Sequence, residues 1–196
     1  MDEKLYSRIV ADNISKRYLS HKTQGLVEKD RGALKLKKNA SVALKEGKNL
    51  LIFGKTGIGK SYLAFDLAFD LKAETNGEVR VFYNRAALIH SDYRASYNNI
   101  SKVLSGVMAK PSFYFEEPPT PTELIIIDEI DDLVDYTIID EIIISAYDNA
   151  VPLIIIGNIS YDEFAEGLSE KAMSRLQENL EILTLDGNDL RKGDNE

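Results

Sequence analysis

The sequence predicts an α/β fold, a three-layer sandwich on a five-stranded parallel sheet. Three observations carry that expectation. Short uninterrupted apolar runs recur, among them Leu50-Leu51-Ile52-Phe53, Leu124-Ile125-Ile126-Ile127 and Leu153-Ile154-Ile155-Ile156, the composition of strands buried on both faces. Between them lie segments with apolar residues at helical spacing, and strands alternating with helices imply parallel pairing through right-handed crossovers. The glycine-rich run 54–61, the pair Asp128-Glu129 and Asn158 each follow the end of an apolar run. In sheets of this kind ligands sit at the carboxyl ends of the strands.

The elements follow in order. Residues 1–48 read as a helical, basic lead-in and 49–196 as the core domain. Within the lead-in, residues 4–20 have loose helical periodicity through Leu5, Ile9, Ile14 and Tyr18, and residues 33–45 read as a helix that ends at Gly47. Strand one is Asn49–Phe53. A helix over 60–74 places Leu63, Leu67 and Leu71 on one stripe, and Asn76-Gly77 closes it. Val79–Tyr83 is strand two, and Asn84 is placed to N-cap a helix carrying Leu88 and Ile89. Residues 92–109 read as weakly patterned helix. Residues 111–121 hold four of the five prolines, so they form a surface connection and not a helix. Strand three runs from Leu124 into Asp128-Glu129. A helix over 135–148 follows, then strand four at Pro152–Ile156, helices over 161–167 and 169–179, a last strand at Leu180–Leu185, and a polar tail.

Bulk composition narrows the chemistry. A chain of 196 residues with 44% hydrophobic and 29% charged content can bury one sizeable core. With no cysteine there is no disulfide, thiol nucleophile or cysteine-held zinc, and His21 and His90 lack metal-ligand spacing. No apolar run approaches ~18 residues and Met1-Asp2-Glu3-Lys4 opens no signal peptide, so the expectation is a cytoplasmic protein without a membrane role. Net charge is −8, unevenly spread: residues 1–50 hold 12 Lys/Arg against 6 Asp/Glu, and residues 101–150 hold 2 against 11. The basic segment reads either as a contact for nucleic acid or an acidic partner, or as a solvated lysine-rich helix face. The overall acidity argues against a protein whose main task is gripping duplex DNA.

The run Gly54-Lys55-Thr56-Gly57-Ile58-Gly59-Lys60-Ser61 fits G-x-x-x-x-G-K-[ST], with a strand before it and a helix after it. Glycines let the backbone turn with positive φ and wrap its N–H groups around a phosphate. Lys60 would reach the β- and γ-phosphates, the Ser61 hydroxyl would ligate Mg²⁺, and the helix N-terminus adds its positive dipole end. A nucleotide with Mg²⁺ is therefore the expected cofactor. Asp128, at the end of an apolar strand, is placed to hold Mg²⁺ directly or through water. Glu129 beside it is suited to polarise the attacking water. Asn158 reads either as a water- or γ-phosphate-orienting amide or as a turn residue after Gly157. Arg175 reads either as an arginine finger reaching a neighbouring subunit's nucleotide or as a surface arginine.

The order of motifs resembles the AAA+ ATPases, and within them the DnaC/DnaI helicase-loader and IstB-type group. The resemblance rests on Gly54–Ser61 followed by Tyr62-Leu63-Ala64, on Leu124–Ile130, and on Ile142–Ile154 running into Gly157-Asn158-Ile159-Ser160. It continues through Phe164–Leu168 with Glu170-Lys171-Ala172-Met173-Ser174-Arg175-Leu176, then Gly187-Asn188-Asp189-Leu190-Arg191. It implies Tyr62 as part of the nucleotide-binding run, Asn158 as the sensor-one residue, Arg175 as the trans-acting finger and Arg191 as the sensor-two arginine. It further implies ATP or ADP as the nucleotide, an AAA+ module with little or no helical lid, and ATP-dependent homo-oligomers with nucleotide at subunit junctions. Single-stranded DNA and a replicative helicase or related replication protein are the implied partners, or a transposase for an IstB-type helper. Three features depart from the group. Only 53 residues precede the loop, so the amino-terminal helicase-binding domain is expected to be missing or reduced to its linker. Ala146 stands where an arginine is usual, and Lys171 replaces a frequent arginine. A nucleotide-gated adaptor with little turnover is the rival from another functional class.

Overall fold

Alternate residues of each apolar run face opposite sides of one sheet. The protein, a computed structural model, is described over residues 31–75, 79–95, 123–131 and 135–186. Along them run α1 (Arg31–Lys45), β1 (Asn49–Gly54), α2 (Lys60–Glu74), β2 (Val81–Arg85), α3 (Ala86–Ala95) and β3 (Leu124–Ile130). Then come α4 (Tyr136–Asp148), β4 (Leu153–Gly157), α5 (Tyr161–Gly167), α6 (Glu170–Glu178) and β5 (Leu180–Leu185). The expected helix at 4–20, the Asn76-Gly77 turn, the helix beyond Ala95, the proline-rich connection and Arg191 lie outside the described residues.

The strands form one five-stranded sheet in the order β2-β3-β4-β1-β5, every pair parallel. Leu50, Ile52, Ile126, Ile154 and Ile156 pack with Leu63, Phe65, Leu67 and Phe69 of α2 and with Ala40 and Leu44 of α1. Leu51, Phe53, Ile125, Ile127 and Ile155 point the other way, onto Ile138, Ile142 and Ile143 of α4 and onto Phe164, Ala172 and Leu176 of α5 and α6. The period-two alternation of strand side chains thus divides the interior into two cores, one on each face. The result is the expected three-layer sandwich.

Local chemistry sets the element ends. Gly47, at φ 77, ends α1 in a Schellman arrangement, with Lys48 N donating to Ala43 O and Gly47 N to Leu44 O. The lysine-rich α1 turns part of its charge inward: Lys37 pairs with Asp70 at 2.9 Å and Asp66 at 3.5 Å, and Lys45 with Glu74 at 2.6 Å. Burial lowers the Lys37 pKa, but the two α2 carboxylates outweigh it and leave the ammonium above its ordinary value.

Three boundaries differ from the sequence expectation. Strand two begins at Val81 because Val79 N donates to the Thr75 hydroxyl, while Arg80 O accepts from Glu123 N and Leu124 N as the chain approaches the sheet. Asn84 lies inside β2 and does not cap α3; its Oδ1 accepts from the adjoining Arg85 N. Strand four begins one residue after Pro152, which has no N–H for the ladder and offers only its carbonyl, to Ile125 N.

Asp135 caps α4, accepting from Thr137 N at 3.0 Å and contacting His90 Nε2 at 3.1 Å. The hydrogen bonds from Thr137, first its side chain and then its backbone, hold the Asp135 carboxyl below its ordinary value. A carboxylate with a lowered folded-state pKa stabilises fully above its unfolded value and loses that contribution as pH falls through the folded one. Asp135→Ala should therefore cost under ~1 kcal/mol near neutrality, since the cap is part-exposed. The melting-temperature gap to wild type should close below about pH 4.

Candidate functional site

The sheet order brings the ends of β3, β4 and β1 side by side, with β4 between the other two. The glycine-rich loop, Asp128-Glu129 and Asn158 therefore lie together at the carboxyl ends of the inner strands. At the end of β1 the chain must turn sharply past β5. Gly54 sits at φ 145, and a Cβ there would lie 2.4 Å from Leu185 O and 2.6 Å from Ile58 Cδ1, so no other residue fits. Gly57 and Gly59 are left-handed at φ 87 and 95. Gly59 caps α2 without a side-chain bond, and a helix N-terminus of this kind favours an anion through its N–H groups and dipole.

Lys60 is 6% exposed, and its ammonium donates to Gly54 O at 2.6 Å, Lys55 O at 2.7 Å and Asn158 Oδ1 at 2.8 Å. One side chain thus ties the start of the loop to the residue just past β4. Asn158 is also fixed through its backbone, its N–H donating to Ile130 O at 3.1 Å. Thr56 and Lys55 are exposed, Ile58 is buried, and Ser61 and Tyr62 are half-buried on the first turn of α2.

Asp128 and Glu129 part ways at the end of β3. The ladder with β4 shifts register between Ile127 and Ile130, and Glu129 takes φ 60, a left-handed conformation that costs a non-glycine residue about 1 kcal/mol or more. The kink leaves Asp128 2% exposed and turns Glu129 out to solvent. Asp128 Oδ1 accepts from Glu129 N at 2.8 Å, and its Oδ2 from the Tyr83 hydroxyl at 3.2 Å. Glu129 lies 3.4 Å from Arg85 Nε. A hydroxyl and a carboxylate, Ser61 and Asp128, are hard oxygen donors of the kind Mg²⁺ takes. Among the described residues no group of three or more carboxylate, imidazole or thiol side chains could cage a metal. An ion here would draw its remaining ligands from phosphate and water, as Mg²⁺ characteristically does.

Arg175 lies apart from these residues. On α6, it pairs with Asp148 Oδ1 at 3.2 Å and lies 5.2 Å over the Tyr147 ring of α4. Its Nη1 is buried without a hydrogen-bond partner. Tyr147 in turn donates to Glu178. The structure therefore joins Lys60 to Asn158 and leaves Arg175 packed on α4. Tyr83 and Arg85 are neighbours of the acidic pair that sequence reasoning missed. Alternation along Val81–Arg85 puts both on one side of the strand, but their pairing opposite Ile126 and Asp128 is a property of the sheet.

No protein-family model and no curated protein matches the chain. Solved structures do. The chain is similar to a DnaC helicase loader at 21% identity and TM-score 0.63, over 88% of this chain and 100% of that one. It is similar to DnaI at 15% identity and TM-score 0.63, over 90% and 93%. A replication initiator DnaA bound to AMPPCP and single-stranded DNA is similar at 18% identity and TM-score 0.56, over 81% of this chain but 46% of that one. The chain thus spans about half the length of that DnaA. These likenesses are of fold, and the fold is the DnaC-like AAA+ fold.

Proposed function

We propose that the chain binds ATP with Mg²⁺ and hydrolyses it at subunit junctions, as a helicase-loader-type accessory protein of DNA replication. The observation that carries this reading is Lys60, buried at the end of a glycine loop and joined to Asn158 beside the Asp128-Glu129 strand end. Its support in kind comes from the neighbours: a helicase loader and a DnaA holding AMPPCP and single-stranded DNA.

Residues 49–196 would form the ATP-binding core and 1–48 its lead-in. Backbone N–H groups of Gly54–Ser61 would wrap the phosphates, with Lys60 reaching the β- and γ-oxygens. Tyr62 would continue that contact along α2, and Arg191 would be the sensor-two arginine. Ser61 and Asp128 would hold Mg²⁺, which would neutralise charge developing on the phosphates. Glu129 would take the proton side of the attacking water, and Asn158 would orient that water or the γ-phosphate. Arg175, which pairs with Asp148 and lies over the Tyr147 ring of its own α4, would serve a neighbouring copy's nucleotide and complete the site only on assembly. One observation favours the adaptor reading: Arg85 engages Glu129, which would restrain turnover.

Arg175→Ala separates the two. On the ATPase reading it lowers steady-state turnover at least ~100-fold while ATP affinity stays within about twofold. Equal and negligible turnover in wild type and variant supports the adaptor. Affinity capture then assigns the partner: a hexameric helicase supports the loader, and a transposase supports an IstB-like transposition helper.

A further inference from the structure

We infer that Tyr83 is a positioning residue for the cation site, its hydroxyl fixing the orientation of the Asp128 carboxylate relative to Ser61. The inference rests on the ATP-Mg²⁺ reading above and adds to it a residue outside the loop and the acidic pair. Tyr83 is 7% exposed, and a tyrosine hydroxyl brought that far inside requires a polar partner. Its partner is Asp128 Oδ2 at 3.2 Å.

The sheet register explains the reach. Tyr83 stands opposite Ile126 in the parallel ladder, and Arg85 stands opposite Asp128. Asp128 is therefore two residues further along the same face, and cross-strand diagonals of roughly 7–8 Å are spanned by aromatic side chains. The Asp128 carboxylate is then held at both ends, by the Tyr83 O–H on one oxygen and the Glu129 N–H on the other. With one donor on each oxygen the carboxylate plane is set before any ion arrives, as outer-sphere partners of metal ligands commonly do.

The tyrosine also touches the other cation ligand's helix. Its ring packs on Phe65 with centroids 4.8 Å apart and planes tilted by 58°. Phe65 lies four residues after Ser61 on α2, one helical turn along the same face. Tyr83 thus has its ring against the helix that carries Ser61 and its hydroxyl on Asp128. Tyr83→Phe keeps the ring that packs on Phe65 and removes the hydroxyl that donates to Asp128.

The test is nucleotide binding, measured by calorimetry with ATP across a Mg²⁺ series and in EDTA, for wild type, Tyr83→Phe and Asp128→Asn. Tyr83→Phe should raise the half-saturating Mg²⁺ concentration about 10-fold, the low end for an outer-sphere partner since phosphate supplies much of the coordination. Its ATP affinity in EDTA should stay within about twofold of wild type, and its ligand-free melting temperature within a few degrees. An unchanged Mg²⁺ dependence overturns the proposal. So does a parallel loss in EDTA, which would mark Tyr83 as a support of α2 alone. Wild-type Mg²⁺ dependence in Asp128→Asn would instead remove the cation role of Asp128 itself, and no ATP binding by wild type would remove the nucleotide reading.

Discussion

Lys60→Ala should reduce ATP affinity at least ~100-fold. The ammonium makes three hydrogen bonds, to Gly54 O, Lys55 O and Asn158 Oδ1. A hydrogen bond involving a charged group contributes roughly 1.5–3 kcal/mol net, and loss of ~2.7 kcal/mol of binding is a hundredfold. Alanine removes the phosphate contact and also the tie that holds the loop against β4. Lys60→Arg should not rescue binding, because a planar guanidinium fork does not fit between two loop carbonyls set for a point charge. Calorimetric titration with ATP and Mg²⁺ checks both variants. Binding by Lys60→Ala within threefold of wild type would remove the loop from the functional account.

Glu129→Gln should leave ATP affinity within a few-fold and lower turnover by ~10²–10³, the range for losing a positioned proton acceptor. The substitution is clean for a structural reason. Glu129 is half-exposed and its side chain contacts Arg85 at 3.4 Å, so glutamine disturbs no core packing. The surface ion pair it loses is worth little. ATP should then stay bound and uncleaved, which filter-retention of labelled nucleotide after a single-turnover mix reads directly. Turnover equal to wild type would mean that some other group activates the water.

How much of this was written in the sequence depends on the range of the interaction. Gly54–Ser61 is a local pattern, and the positive φ values at Gly54, Gly57 and Gly59 are what its glycines permit. The element order was legible because apolar runs of strand length alternate with helical stripes. Gly47 ended its helix as a local rule predicts. The approach of Lys60 to Asn158 was not legible, since it requires β4 to lie between β1 and β3, and no local periodicity encodes strand order. The same holds for Tyr83 and Arg85, which meet the acidic pair only through the β2–β3 register. The pairing of Lys37 and Lys45 with α2 was hidden because a lysine-rich helix reads alike whether it faces water or a neighbouring helix's carboxylates. Asn84 shows the opposite failure, a good capping residue taken into a strand because β2 pairs with β3 through Arg85.

Given the role proposed for Glu129, its left-handed backbone sets folding and chemistry against each other at a single residue. Glycine would relieve the conformation, and asparagine would ease it, since both occupy that region more readily than glutamate. A chain tuned only to be stable would place one of them there. Glutamate at 129 instead keeps an acid where the strand breaks, beside a buried aspartate that accepts its own N–H. Improving this protein's stability and keeping its acid are therefore competing aims at position 129, and a stability screen would lead away from the working sequence there.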